Sequence, residues 1–133
     1  YKIEEIEGIG PAYAEKLGAA GIKTTDDLLK MCCDAAGRKD VSEKTGVDAK
    51  MLLEWANRAD LMRINGVGEE YSDLLEASGV DTVKELATRV PANLAAKMAE
   101  VNEEKNLTNA VPSETTVEKW VAQAKEMDAV ITH

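Results

Sequence analysis

The chain has 133 residues, of which 44% are hydrophobic and 31% are charged, and it carries a formal net charge of −9 at pH 7. This composition excludes a wholly disordered chain and predicts one domain with a buried core. No apolar run approaches the roughly 18 to 20 residues that span a bilayer, and no signal peptide is visible. Because the two cysteines are adjacent, they do not form a disulfide framework, and we expect a cytoplasmic protein.

The negative charge is unevenly distributed along the chain. Residues 1 to 63 contain ten Lys or Arg against twelve Asp or Glu, whereas residues 64 to 133 contain six against thirteen. Binding to a nucleic-acid backbone depends mainly on Lys and Arg side chains that displace counterions. The acidic second half therefore disfavours nucleic acid as a partner, and it favours solubility or a basic protein partner.

A stretch near the start of the chain occurs a second time. Residues 6 to 24, IEGIGPAYAEKLGAAGIKT, align without a gap with residues 64 to 82, INGVGEEYSDLLEASGVDT. Twelve of the aligned positions are identical or closely similar. Both copies resemble the helix-hairpin-helix motif, in which an apolar-Gly-apolar-Gly turn joins two antiparallel helices. The repeat predicts two such units, residues 1–63 and residues 64–133.

The first turn has the chemistry of an anion-binding turn. Glycine has no Cβ, so other molecules can approach the backbone closely there, and Pro11 suits the first position of the following helix. The unpaired amides at a helix N-terminus attract phosphate or carboxylate groups. A turn that serves packing alone remains the alternative. The candidate anion-binding residues are Gly8, Ile9, Gly10, Ala12 and Lys16.

The helices around this turn can be placed from their end signals. We expect a lead-in helix over residues 2–10 and a second helix over residues 11–20, directly after the turn. Thr24 or Thr25 caps the next helix, which is predicted to continue to about Ala36 and to end at Gly37.

Residues 38 to 63 resemble a helix-turn-helix, with a turn at Gly46, a cap at Asp48 and a long helix that contains Trp55. In a DNA-reading helix-turn-helix, the second helix presents polar or basic side chains near its N-terminus. Only Lys50 occupies that place here, beside an aspartate. We therefore favour a helix pair that packs on the hairpins, and keep Lys50 as a candidate surface contact.

The second turn departs from the phosphate-binding pattern. Gly66, Val67 and Gly68 repeat the turn, but Glu69 and Glu70 follow directly. Two carboxylates at a helix N-terminus satisfy the helix dipole and repel phosphate. This turn is expected to serve structural packing or protein docking.

The rest of the chain is predicted to be helical. We expect helices over residues 69–78 and from Pro91 to the polar run 102–106. Pro112 and Ser113 are predicted to open the last helix, in which Thr115 and Glu118 have capping-box spacing. The segment LLEWANRADLM also aligns with VEKWVAQAKEM, but with an offset seven residues larger than that of the turns. The second unit therefore contains an insertion between its turn and its tryptophan helix.

The complete order of motifs resembles a bacterial family of tandem helix-hairpin-helix proteins that is known only as a domain of unknown function. The matching features are GIGPAYAEKL, EKTGV followed by LLEW, GVGEEY with DLLEASGVDTVKELA, and a terminal VEKWVAQAK. The resemblance implies an all-helical, duplicated fold and no known activity. Its wider superfamily contains many DNA repair and recombination modules, which is why DNA is considered as a ligand.

Four aromatic residues occupy equivalent places in the two units. Tyr13 and Tyr71 lie three residues after the second glycine of each turn, and we favour packing at the core edge over ligand stacking, with both kept as candidate surface contacts. Trp55 and Trp120 are interpreted as core anchors.

No constellation of catalytic residues is visible. The only histidine is His133, at the end of the chain, so triads, general bases and metal sites that need histidine are not predicted. Nothing near Cys32 and Cys33 predicts a lowered thiol pKa. We expect no enzyme activity, no cofactor and no metal site built from side chains; a monovalent cation on the backbone carbonyls of the hairpins stays an open alternative.

These observations together predict one all-α domain over residues 1–133, a compact bundle similar to SAM and helix-hairpin-helix domains. The favoured function is a non-catalytic interaction module, acting as a protein adaptor or a self-associating scaffold. The alternative is weak, largely sequence-independent DNA or RNA backbone binding through the first hairpin. No membrane partner is expected.

Overall fold

A computed structural model describes residues 1–132, and this part of the chain is helical, with one isolated antiparallel β-bridge between Lys2 and Thr24. The predicted all-α class is thereby confirmed for these residues. Among them, no helix combines the length and hydrophobicity needed to cross a bilayer. The elements are a 3-10 helix Ile3–Glu5 and the helices α1 Pro11–Ala19, α2 Thr25–Cys32, α3 Ala35–Thr45, α4 Ala49–Leu61, α5 Glu69–Ala77, α6 Val83–Leu86, α7 Pro91–Lys105 and α8 Glu114–Glu126.

The chain forms two compact units. The first consists of Tyr1–Asp60 together with residues 130 to 132, and the second consists of Leu61–Ala129. The division falls in the last turn of α4. Each unit buries its own apolar side chains and is described by itself.

The core of the first unit is built from one face of each helix and from the apolar residues of the first turn. Helical spacing places these side chains on a common stripe that can be buried against the neighbouring helices. The buried residues are Ile3, Ile6, Ile9, Leu17, Ile22, Leu28, Leu29, Cys32, Val41, Val47, Leu52, Trp55, Ala56 and Ala59.

The core of the second unit lies among α5, α6, α7 and α8. Its buried members include three residues before and within the second turn, and the stripe of α8 that contains the second tryptophan. They are Leu61, Ile64, Val67, Leu74, Leu75, Val80, Val83, Leu86, Leu94, Met98, Val101, Val117, Trp120, Val121 and Ala124.

Thr24, rather than Thr25, caps α2. Its Oγ1 accepts a hydrogen bond from the Asp27 amide at 3.1 Å, and the Asp27 carboxylate accepts from the amides of Lys23 and Thr24 at 3.2 Å each. The bond from the Lys23 amide is the main cause that lowers the pKa of Asp27 below its usual value. Thr82 caps α6 in the same way, accepting from the Glu85 amide at 3.2 Å.

The prediction that the helix capped at Thr24 or Thr25 ends at Gly37 is wrong. The chain leaves α2 at Cys32, and Asp34 begins α3 by accepting a hydrogen bond from the Gly37 amide at 2.7 Å. Gly37 therefore lies in the first turn of a new helix. A Cβ at this position would lie 2.2 Å from the carbonyl oxygen of Met31, so glycine is needed for close approach at the corner between the helices and not as a stop.

Two further end signals were misplaced. The lead-in helix within residues 2–10 is only the 3-10 turn Ile3–Glu5, because Ile6 is already extended and Gly8 has a positive φ. The last helix starts after Ser113 as predicted, but Ser113 is also its cap, since its Oγ accepts from the Thr116 amide at 3.2 Å; the predicted capping residue Thr115 lies inside α8. Both errors concern element boundaries, which depend on a single local hydrogen bond.

Candidate functional site

The two Gly-containing turns have the same local conformation. Gly8 has φ 94° and Gly66 has φ 93°, values that glycine adopts without strain. The Ile9 amide donates to the carbonyl of Ile6 at 3.1 Å, and the Val67 amide donates to the carbonyl of Ile64 at the same distance. Each turn is therefore a tight four-residue reversal whose third residue has to be glycine.

The first turn leads into an uncapped helix N-terminus. Gly10 is extended, with φ −86° and ψ −177°, and offers no side chain to cap α1. The amide of Ala14 donates to the carbonyl of Gly10 at 2.9 Å, whereas the amides of Ala12 and Tyr13 have no acceptor within residues 1–132. The first turn of α1 contains no acidic residue. These two amides are available to an anion.

The predicted anion-binding residues of the first turn differ in what they can contribute. Gly8, Gly10, Ala12 and Lys16 are exposed, whereas Ile9 is 4% exposed and anchors the turn from inside. Ile9 could therefore contribute only its backbone. The Lys16 ammonium lies 5.8 Å from the centroid of the Tyr13 ring, on the surface one turn into α1.

The second turn leads into a helix N-terminus that already carries two carboxylates. Gly68 begins α5 without a side-chain cap, and the Ser72 amide donates to its carbonyl at 2.9 Å. Glu69 and Glu70 are exposed in the first turn of α5. With Val67 fully buried, the Gly66–Gly68 stretch presents only backbone beside these carboxylates.

Each turn lies against a tryptophan, which in turn contacts the tyrosine of its own unit. A Cβ on Gly8 would lie 3.3 Å from Nε1 of Trp55, and a Cβ on Gly66 would lie 3.2 Å from Nε1 of Trp120. The ring centroids of Tyr13 and Trp55 are 5.2 Å apart, as are those of Tyr71 and Trp120. We call each set of turn, tryptophan and tyrosine a turn–Trp–Tyr cluster.

The clusters show what the four aromatic rings contact within their own units. Trp55 and Trp120 are 4% and 2% exposed, which confirms that they are core anchors. Tyr13 and Tyr71 are half-buried, and the Tyr71 hydroxyl donates to the carbonyl of Ala110 at 3.2 Å. The tyrosines thus pack at the core edge, and their tryptophan contacts occupy part of their rings.

Lys50 is exposed in the first turn of α4, and its amide donates to Oδ1 of Asp48 at 2.8 Å. The N-terminus of α4 is therefore already supplied with a carboxylate, which opposes an approaching phosphate. The helix pair α3–α4 has the predicted turn, with Gly46 in the left-handed conformation at φ 76°.

The Cys32 thiol is buried, and its environment does not favour the thiolate. Burial raises the pKa of the Cys32 thiol to about 11, although Arg38 partly offsets this effect, so its nucleophilic thiolate is scarce at neutral pH. Within residues 1–132, no three His, Cys, Asp or Glu side chains are grouped closely enough to hold a metal ion.

A groove between α7 and α8 was not found from the sequence. It has a volume of about 480 Å³ and lies entirely in the second unit. Val90, at its edge, is 57% exposed, the largest exposed fraction among the large hydrophobic residues of the described chain. We call it the α7–α8 groove; it is lined by Val90, Pro91, Ala92, Glu114, Glu118, Val121, Ala122 and Lys125.

Two features of the sequence could have indicated this groove. Val90 occupies the N-cap position of α7, where Ser, Thr, Asp or Asn is preferred, and such a departure suggests another use of the residue. The groove also lies in the part of the chain that contains the seven-residue insertion. The first unit has no corresponding segment from which the groove could have been predicted.

Comparison with protein families gives one match, to the family described as Domain of unknown function (DUF4332), over residues 7–127. Comparisons with curated proteins and with solved structures give no match.

Proposed function

Because this chain belongs to the Domain of unknown function (DUF4332) family, whose description assigns no activity, we propose its function from its own residues. We propose a non-catalytic interaction module, built as a duplicated helix-hairpin-helix, that binds a basic segment of a partner protein. The duplication is supported by the two turns of equal conformation and by the two turn–Trp–Tyr clusters with their equal ring distances.

The α7–α8 groove is the observation that carries this proposal. Its lining combines the apolar side chains of Val121, Ala122 and the exposed Val90 with the carboxylates of Glu114 and Glu118. An apolar side chain flanked by Lys or Arg matches this arrangement, since apolar anchors with a charged border are typical of peptide grooves. Lys125 is the only cation in the lining.

The charge of the whole second unit agrees with a basic partner. Residues 61 to 129 contain seven Lys or Arg against thirteen Asp or Glu, a net charge of −6. Such a field attracts cationic segments and accelerates their association. A second copy of the chain would bring the same negative charge, so a basic partner is favoured over self-association.

A double charge reversal in the groove tests the proposal. The probe is a short amphipathic Lys/Leu peptide, followed by NMR amide shifts of the protein, with a Glu/Leu peptide of the same length for comparison. We expect the Lys/Leu peptide to shift resonances around Val90 and Val121. Glu114→Lys with Glu118→Lys should weaken its binding about tenfold or more, because two favourable charge contacts become repulsive.

Glu103→Lys with Glu104→Lys is the matched control, since it makes the same charge change at exposed positions near the other end of α7. Equal weakening by both pairs would show attraction by net charge alone and contradict a groove site. If the chain forms concentration-dependent dimers in sedimentation and the peptide causes no shifts at the groove, the result supports a self-associating scaffold and contradicts the adaptor.

Nucleic-acid backbone binding through the first hairpin is the second candidate. It is favoured by the two available amides of Ala12 and Tyr13 and by the absence of carboxylates from the first turn of α1. A phosphate on these amides, with Lys16 one turn further on, would use the chemistry of helix N-termini.

Fluorescence anisotropy with a short labelled duplex separates this candidate from the first. Binding through the hairpin should weaken steeply between about 50 and 200 mM salt and disappear in Lys16→Glu. Glu69→Lys with Glu70→Lys should raise the affinity, because the equivalent turn of the second unit would lose its two carboxylates. Unchanged anisotropy for this double variant at low salt would exclude presentation of the hairpin amides to phosphate.

A further inference from the structure

A second cavity shares Val90 with the α7–α8 groove. It has a volume of about 250 Å³, and its lining includes Ser78, Thr88, Arg89, Asn93, Leu94 and Lys97. No carboxylate belongs to this lining, although the surrounding unit has a net charge of −6. We call it the Arg89 cavity.

Arg89 is held in place by the protein and still has an unused donor. Its Nη2 donates to the carbonyl of Gly79 and to Oε1 of Glu85, both at 2.8 Å. Its Nε is buried and has no hydrogen-bond partner. The side chain as a whole is 36% exposed, so the rest of its guanidinium can still meet an acceptor supplied from outside.

Lys97 adds a positive charge that the protein does not neutralise. Arg89 already forms an ion pair with Glu85, whereas the Lys97 ammonium has no carboxylate partner within residues 1–132. Asn93 lies one helical turn before Lys97 in α7, and both side chains line the cavity. The cavity thus combines an unbalanced charge with amide and guanidinium donors.

The cavity also lies at the N-terminus of α7. The helix has 15 residues, begins with Pro91 and receives no side-chain cap from Val90. The first helical bond is donated by the Leu94 amide to the carbonyl of Val90 at 2.9 Å, so the amides of Ala92 and Asn93 have no acceptor within the described residues. Unpaired amides and the helix dipole favour an oxyanion at this place.

We propose that the Arg89 cavity binds the phosphate group of a small phosphorylated molecule. Phosphate offers several acceptor oxygens to donors that approach from different directions, and here these are the Arg89 guanidinium, the Lys97 ammonium, the Asn93 side-chain amide and the α7 amides. Leu94 leaves an apolar wall beside them for a few carbon atoms. The cavity shares Val90 with the peptide groove of the proposed function, but Arg89, Asn93 and Lys97 line the cavity alone.

NMR titration with inorganic phosphate and with glycerol 3-phosphate, at constant ionic strength, tests the site on the intact chain. We expect saturable shifts of the Ala92 and Asn93 amides, with the ester binding more tightly if the apolar wall is used. Lys97→Ala should weaken binding about tenfold, as the loss of one charge-assisted contact predicts.

Asn93→Asp provides a variant that removes binding without loss of folding. It places a carboxylate in the cavity, which should abolish the phosphate shifts, while an acidic residue in the first turn of α7 favours the helix. Lys105→Ala, in the last turn of the same helix, is the matched control and should leave the affinity unchanged.

Three results would overturn the proposal. The first is the absence of saturable shifts at Ala92 and Asn93. The second is an Asn93→Asp variant that binds phosphate as tightly as the unmodified chain. The third is a response confined to Ala12 and Tyr13, which would place the anion at the first hairpin instead. Titration of the Asn93→Asp variant with the Lys/Leu peptide tests the groove separately. Either proposal can therefore fail while the other stands.

Discussion

Replacing Trp120 by alanine is expected to lower the free energy of unfolding of the second unit by about 3–5 kcal/mol. The side chain is 2% exposed, lies against Gly66 of the second turn, and contacts the ring of Tyr71. Its loss leaves a large cavity where the turn, α5 and α8 meet. Urea denaturation followed by far-UV circular dichroism measures the change.

Tyr71→Phe is the control for this variant, since it keeps the ring and removes only the hydroxyl that donates to the carbonyl of Ala110. It should cost about 1 kcal/mol or less. Trp55→Ala repeats the experiment in the first unit, where the same ring distance of 5.2 Å to Tyr13 predicts a loss of similar size. A Trp120→Ala variant no less stable than Tyr71→Phe would show that the turn does not depend on the tryptophan.

Gly37→Ala is expected to destabilise the first unit by about 2–3 kcal/mol, against the usual trend. Within a helix, replacing glycine by alanine normally stabilises by about 1 kcal/mol. Here the added Cβ would lie 2.2 Å from the carbonyl oxygen of Met31 and 2.9 Å from Oδ1 of Asp34. The corner between α2 and α3 would have to open, and the cap of α3 would be disturbed. The midpoint of urea denaturation measures the effect.

Gly18→Ala gives the opposite sign and serves as the control. Gly18 lies within α1, and a Cβ there would meet nothing within 4 Å. The substitution should therefore stabilise by about 0.5–1 kcal/mol. Stabilisation by both variants would refute the tight corner at Gly37.

The features that could be predicted from the sequence depend on patterns repeated along the chain. Two copies of the Gly-containing turn and the alignment of Trp55 with Trp120 predicted the all-helical class and the buried tryptophans. Each pattern involves many positions, so the prediction does not depend on any single residue.

The features that were missed depend on single contacts across the fold. Gly37 has the appearance of a helix stop until the carbonyl of Met31 is placed beside it. The Arg89 cavity requires side chains from the segments before and within α7 to converge, and no periodicity of the sequence records this. The unpaired charge of Lys97 likewise becomes visible only when the neighbours in space are known.

The first unit is completed by residues that are synthesised after the second unit. The guanidinium of Arg38, 5% exposed, donates to the carbonyls of Cys32 at 3.0 Å and Thr132 at 2.8 Å, and the Thr132 amide donates back to the carbonyl of Cys33 at 2.8 Å. On the ribosome, residues 1 to 60 emerge first, but their α2–α3 corner lacks these partners until residue 132 has been added. Until then, the Arg38 guanidinium lacks one of its two carbonyl acceptors. The first unit therefore cannot complete its hydrogen bonds before the residues of the second unit have been synthesised.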